Sequence, residues 1–282
     1  MSALVLTADD FGLAEEVNMA VEFAHRAGTL SCASLMVTAP AADDAVRRAR
    51  GMAGLGVGLH LTLVEGRPAL PPQDIPDLVG SDGAFLDDPA RAGLRFFFRP
   101  GARAQLAAEI RAQFAAFAAT GLKLDHVNAH NHMHLHPTVL GLLLEIGRDH
   151  GTPPVRLPRE PWSVAAAGGA GALLAHAALA PWLALTRARL RRAGAMHNDT
   201  ILGLTHSGAM TEARLLGLLA GATKRGGACE IYLHPAIGRA PALERTMADY
   251  DHAGEFSALM SPALAHAIAQ DGHRLCTFRA LG

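Results

Sequence analysis

The chain has 282 residues, 50% of them hydrophobic, with a formal net charge of −1 and a pI near 7.0. That size and apolar share suit one large core, in the range where α/β barrels of about 250 residues form single domains. The lack of a basic excess and an aromatic share of 5% exclude the electrostatic footprint and the base-stacking platforms of a nucleic-acid binder.

Residues 4–7, Leu-Val-Leu-Thr, predict a short buried strand that ends at Asp9-Asp10-Phe11-Gly12. The N-terminus lacks the basic region and long apolar run of a signal peptide. Residues 15–27 have helical spacing, with Val17, Ala20, Val21 and Ala24 on one stripe and Gly28 as the expected C-cap. A second strand is expected at 32–37, a second helix at 41–49 and a third strand at 57–62. Residues 66–88, rich in Pro, Gly and Asp, predict a long loop. Residues 102–120 predict an amphipathic helix whose apolar face is Leu106, Ile110, Phe114 and Phe117.

A strand then begins at 124–130, followed by a helix at 138–150 and a short strand at 155–157. Residues 163–185 are apolar and Ala-rich, with arginines after them, and form an excursion at about 160–195. Their length approaches the roughly 20 residues of a membrane span. Gly168, Gly169, Gly171, His176 and Pro181 instead predict a soluble helical hairpin, a surface-lying helix or a helix covering the barrel. The basic tail gives this segment a possible peripheral contact with anionic lipid. A helix at 211–225, a strand at 229–233, a helix at 261–270 and a strand at 274–278 complete the chain.

Short apolar strands alternating with helices predict parallel βα units in a single domain over 1–282. No GxGxxG follows the first strand and no GxxxxGK[ST] occurs, so a barrel fits better than an open nucleotide-binding sheet. Cys32, Cys229 and Cys276 are odd in number, widely spaced and form no CxxC. They argue against a disulfide framework or a cysteine zinc site and for a reducing cytosol.

Residues 126–136 hold five of the 15 histidines. His130, His132, His134 and His136 alternate, so a strand here would aim several imidazoles at one place. The run by itself does not choose among its own histidines. Asp9-Asp10, His60 and the run all fall at the C-terminal ends of expected strands, the end that carries barrel active sites. Two adjacent carboxylates resist both being free ions, and a divalent metal on one leaves the other as a base. One Asp with two His makes a three-ligand set that leaves room for water and substrate. His234, directly after a strand, would reach the same rim as a general acid.

The wording of Thr7 to Gly12, Gly58-Leu59-His60-Leu61-Thr62, His126 to Pro137, and Leu233-His234-Pro235 resembles the YdjC/ChbG-like carbohydrate deacetylases, relatives of polysaccharide deacetylases. His-Val-Asn-Ala-His-Asn-His and the segment from Val155 to Trp162 look most like the hopanoid-associated HpnK branch. The resemblance implies an α/β fold, a distorted (β/α) barrel of the polysaccharide-deacetylase type. It implies Asp10, His60 and His130 as metal ligands, Asp9 as general base and His234 as acid for the leaving amine. His132, His134 and Arg156 are expected to contact substrate, with packing inside as the alternative for His134. The cofactor is one divalent ion, Zn2+ or Mg2+, with other divalent ions open. Where the family usually reads Asp-Ser-His, this chain reads Asn128-Ala129-His130, which removes a carboxylate from beside the ligands.

The implied reaction removes an N-acetyl group from an amino-sugar conjugate, an N-acetylglucosaminyl hopanoid if the branch holds, in the cytoplasm or at the inner membrane face. Soluble chito-oligosaccharides are the alternative substrate. A phosphoesterase on a similar barrel is the rival enzyme, but it gathers more carboxylates than Asp9 and Asp10. A histidine-rich metal-binding protein is the non-enzymatic rival, and would bind several ions on 126–136 alone.

Overall fold

In the computed structural model, which describes residues 2–223 and 226–281, the apolar runs become strands. They are β1 (Ala3–Phe11), β2 (Cys32–Leu35), β3 (Gly56–Leu61), β4 (Leu124–Ala129), β5 (Thr200–Leu202), β6 (Ala228–Leu233) and β7 (Arg274–Leu275). All pair in parallel, in the order β4-β3-β2-β1-β6-β5, with β7 beside the first residues of β1. From their second residue onward β1, β4 and β6 are buried throughout, as are β2 and β3. Helices on the outside of a parallel sheet require that burial, and it explains the continuous apolar runs.

Residues 154–159 carry the sheet from β4 towards β5. Val127 N–H donates to Pro154 O (2.8 Å), Arg156 N–H to Val127 O (3.1 Å) and Ile201 N–H to Arg159 O (3.1 Å). The result is a curled parallel sheet, a distorted (β/α) barrel as expected. The strand expected at 155–157 is reduced to one bridge between Val127 and Val155.

The helices are α1 (Glu15–Ala27), α2 (Ala42–Ala49), α3 (Pro89–Phe98), α4 (Ala102–Ala119), α5 (Pro137–Gly147), α6 (Trp162–Ala165), α7 (Gly169–Arg192), α8 (Glu212–Thr223), α9 (Pro241–Met247), α10 (His252–Leu259) and α11 (Pro262–Gln270). Lys224 and Arg225, the end of the helix expected at 211–225, lie outside the described residues. The reading of the sequence had no element at α3, α9, α10 or β5. The start of α3 is nonetheless well signalled: Asp88 accepts from the backbone of Ala90 and Arg91, with Pro89 at the first helical position. The apolar excursion is a surface-lying helix and not a hairpin, with Leu183, Thr186 and Leu190 of α7 turned into the protein.

Candidate metal centre

Successive strand residues face opposite sides, so a regular strand cannot send both Asp9 and Asp10 to one site. Asp10 has φ +60°, and the β1–β2 register shifts between Ala8 and Phe11. This left-handed residue, which costs about 1–2 kcal/mol for an L side chain, brings the second carboxylate to the rim as well. β1, β3 and β4 there place Asp10, His60 and His130 with their ligating atoms all within 4.8 Å of one another. His60 Nε2 lies 3.2 Å and His130 Nδ1 3.0 Å from Asp10 Oδ1.

The outer ring nitrogens set the tautomers. The Asn128 amide nitrogen donates to Ser34 Oγ (2.9 Å) and Asp9 Oδ1 (3.3 Å). Its oxygen therefore accepts from His60 Nδ1 at 2.7 Å, which leaves the Nε2 lone pair facing Asp10. Likewise His130 Nε2 donates to Glu65 Oε2 at 2.9 Å and turns Nδ1 inward. Asp10 Oδ2 is buried and has no hydrogen-bond partner among the described residues. Two imidazole nitrogens and a carboxylate with an orphaned oxygen form a donor set that fits a divalent ion. The field agrees. Burial would raise the Asp10 carboxyl, yet His130 and His60 hold it well below the usual carboxylate range. Burial would lower His130, yet Asp10 and Glu65 push it up to about 10, so positive charge is favoured at this point.

Asp9 sits behind this cluster, 3% exposed, and takes both guanidinium ends of Arg156: Nη1 to Oδ2 at 2.5 Å and Nη2 to Oδ1 at 2.9 Å. Burial works against the charge on Asp9, but Arg156, with His60 and His234, holds the carboxyl far below its usual range. Arg156 was expected to contact substrate, and the structure corrects this. It is fully buried, and its remaining reach goes to Glu230, with Nη2 to Oε1 at 2.7 Å and Nε to the same oxygen at 2.9 Å. Arg156 therefore orients Asp9 and offers nothing to a ligand.

The histidine run is not a strand. β4 ends at Ala129, and His130–Leu135 form a 3-10 turn with left-handed Asn131 (φ +50°) and His132 (φ +52°). The alternation is thereby broken, and each imidazole goes its own way. His130 joins Asp10 and His60. His132 lines the cleft, its ring edge-on to Tyr232 at 5.6 Å. His134, also expected at the substrate, packs inside and donates from Nε2 to Arg156 O at 3.1 Å. Burial and Arg156 bring its pKa down to about 3. His136 caps α5, its Nδ1 accepting from Thr138 N–H.

These groups open on a cleft of about 460 Å³ lined by Asp9, His60, Glu65, His130, His132 and His234, with Tyr232 and Tyr250 among its walls. The His234 ring stands edge-on between Tyr232 (5.4 Å) and Tyr250 (5.2 Å). Its backbone N–H donates to Glu255 Oε2 at 2.5 Å, and Nδ1 lies 3.9 Å from the same oxygen. Sequence reasoning missed Glu65, Glu230, Tyr232, Tyr250 and Glu255. Glu230, Tyr232 and His234 alternate along and just beyond β6, so strand periodicity was the signal for two of them.

A second group with ligand-like spacing, Cys32, Asp125 and His126, lies at the opposite, N-terminal ends of β2 and β4. Asp125 there already accepts from His126 Nδ1, Cys32 Sγ and the backbone of Phe278 and Arg279. Its oxygens are satisfied by the protein, and we assign it to the fold.

A family model described as YdjC-like protein matches residues 3–270. A carbohydrate deacetylase of Brevibacillus brevis is 37% identical over 155 residues, covering 55% of this chain and 59% of that protein. The match thus spans about three-fifths of that relative's length. A carbohydrate deacetylase of Geobacillus stearothermophilus is 28% identical over 275 residues, 98% of this chain and 96% of its own. Among solved structures, a proposed cellobiose-phosphate cleavage protein of Enterococcus faecalis superposes with a TM-score of 0.80 at 24% identity, covering 100% of this chain and 99% of its own. That likeness bears on the fold.

Proposed function

The chain belongs to the YdjC-like protein family, and from that premise we propose that it is a metal-dependent hydrolase that removes the N-acetyl group of an amino-sugar conjugate. The carrying observation is the convergence of Asp10, His60 and His130 on one point beside an ionised Asp9 and within reach of the cleft that holds His234. The relatives' shared description as carbohydrate deacetylases supports the same reading. Zn2+ or Mg2+ bound by Asp10, His60 and His130 would polarise the amide carbonyl and acidify a water. Asn128 and Glu65 hold the two imidazoles in the tautomers such binding needs.

Asp9 accepts the proton of the attacking water. Its pairing with Arg156 keeps it ionised and fixes its direction, at the expense of basicity. His234 delivers a proton to the departing nitrogen, and Glu255 anchors the His234 backbone. Tyr250 offers ring surface to a sugar, Tyr232 backs the cleft wall behind His132 and His234, and His132 contacts the sugar from another side. The branch resemblance extends the substrate to a lipid-linked form, an N-acetylglucosaminyl hopanoid. We place it in the cytoplasm, as the odd number and wide spacing of its three cysteines suggest.

Acetate release from an N-acetylglucosaminyl lipid and from chitobiose, with metal added and after chelation, tests this. We expect chelator-sensitive amide cleavage, lowered by ~10²–10⁴-fold in Asp9→Asn. Turnover indifferent to chelation or to that substitution sinks the mechanism. Release from chitobiose alone removes the lipid part.

A further inference from the structure

Two acid-free stretches pack against the segment that follows the histidines of the cleft. Residues 89–108 and 161–198 contain no Asp, Glu or Lys, and each carries four arginines. The same stretches expose apolar bulk. Seven of the eleven exposed large hydrophobic side chains among the described residues lie on α3, α6 and α7. Phe98 is 79% exposed and Leu174 74%. Hydrophobic side chains scattered singly need no explanation, but this concentration does.

Both stretches are tied to the segment that leaves the cleft. Pro89, at the start of α3, lines the cleft with Asn131 and His132. A few residues on, the His136 ring meets Phe97 of α3 at 4.2 Å, while Leu135 O accepts from Trp182 Nε1 of α7 at 2.9 Å. Residues 135–136 thus tie both helices to the rim.

The run Trp162–Arg192 is long and apolar enough to cross a membrane by length and composition, and only 11% of its most apolar window is buried. Its C-terminal half is held to the barrel by buried Leu183 and Leu190 and by Arg187 to Asp199 at 3.0 Å. A span would break those contacts. Lying flat would keep them, and would bury the uncharged first half of α7 with the phenylalanines of α3 while the exposed Arg91, Arg191 and Arg192 meet phosphate; Arg99 and Arg187 stay on Asp77 and Asp199.

We propose that α3 and the first half of α7 form a docking face for an anionic bilayer surface, which sets the cleft mouth at headgroup level. The face is read by binding alone, so it stands or falls separately from the hydrolase reading.

The test uses the full chain, sedimented with vesicles of phosphatidylcholine alone or mixed with phosphatidylglycerol. Wild type is expected to follow the anionic vesicles and to be released as salt rises. Phe98→Asp with Leu174→Asp is expected to weaken partition at least about tenfold while the thermal melt is unchanged, because both side chains are exposed. If that pair disturbs folding, Phe98→Ser with Leu174→Ser reads the same loss. Wild type left in the supernatant with both vesicles overturns the proposal. So does a substituted chain that binds like wild type. A chain that ignores vesicles and forms a dimer dissociated by these substitutions overturns it too, and assigns the face to a second copy.

Discussion

Asn128 is the residue on which the polarity of the site turns. Its oxygen accepts from His60 Nδ1–H, and its nitrogen donates towards Asp9, a pair of roles that an ionised Asp could not fill. Where the resemblance leads one to expect Asp, Asn128 leaves His60 Nδ1 an acceptor and gives Asp9 a donor beside Arg156. In Asn128→Ala the His60 tautomer loses its tether. The dissociation constant for Zn2+, measured by calorimetric titration, is expected to rise by about 10–100-fold. An unchanged constant would show that the tautomer is set elsewhere. The residue types at Asp10, His60 and His130 were legible because strand ends and ligand chemistry are local. Arg156 was not, since nothing in Pro-Val-Arg-Leu-Pro states that its guanidinium turns inward onto carboxylates 147 and 74 residues away.

At the scale of elements, two local departures from regular strand build the site. β1 kinks at left-handed Asp10, and β4 stops at Ala129. The second was signalled in the sequence. Pro137 fits the first position of a helix, which makes His136 a cap and competes with the alternating histidines. β3 meets its neighbour through Gly58. A Cβ there would stand 2.5 Å from the His126 ring, so the glycine is required by close approach. Gly58→Ala is expected to destabilise the fold by about 1–3 kcal/mol, read from the urea midpoint. A midpoint equal to wild type would mean that the ring swings aside without loss.

Across the whole molecule, Asp125 links the C-terminal segment to the barrel floor through its bonds to Phe278 and Arg279. Burial alone would raise this carboxyl, but the bond and charge of His126 and the Arg279 N–H bring it down to about 2. A carboxyl lower in the folded than in the unfolded state contributes its stability above the unfolded value, and loses it as pH falls through the folded one. Roughly 2 kcal/mol is therefore expected to disappear between about pH 4 and pH 2. Asp125→Asn should be less stable at neutral pH and show a shallower acid decline in denaturant titrations. Parallel declines in both proteins would remove Asp125 from the acid response.

By itself, the sequence determined the alternation of buried strands and helices, the barrel class and the chemistry waiting at the strand ends. Those follow from periodicity and from the polarity of parallel βα units, which are properties of neighbouring residues. Only the tertiary structure decided that His130 stands beside Asp10 and His60 while its neighbours turn elsewhere, that Arg156 serves Asp9 and Glu230, and that residues 135–136 tie both α3 and α7 to one segment. Each of these depends on register, on barrel curl and on a backbone turned left-handed at Asp10 and His132. Such long-range hydrogen bonds have no counterpart in local spacing.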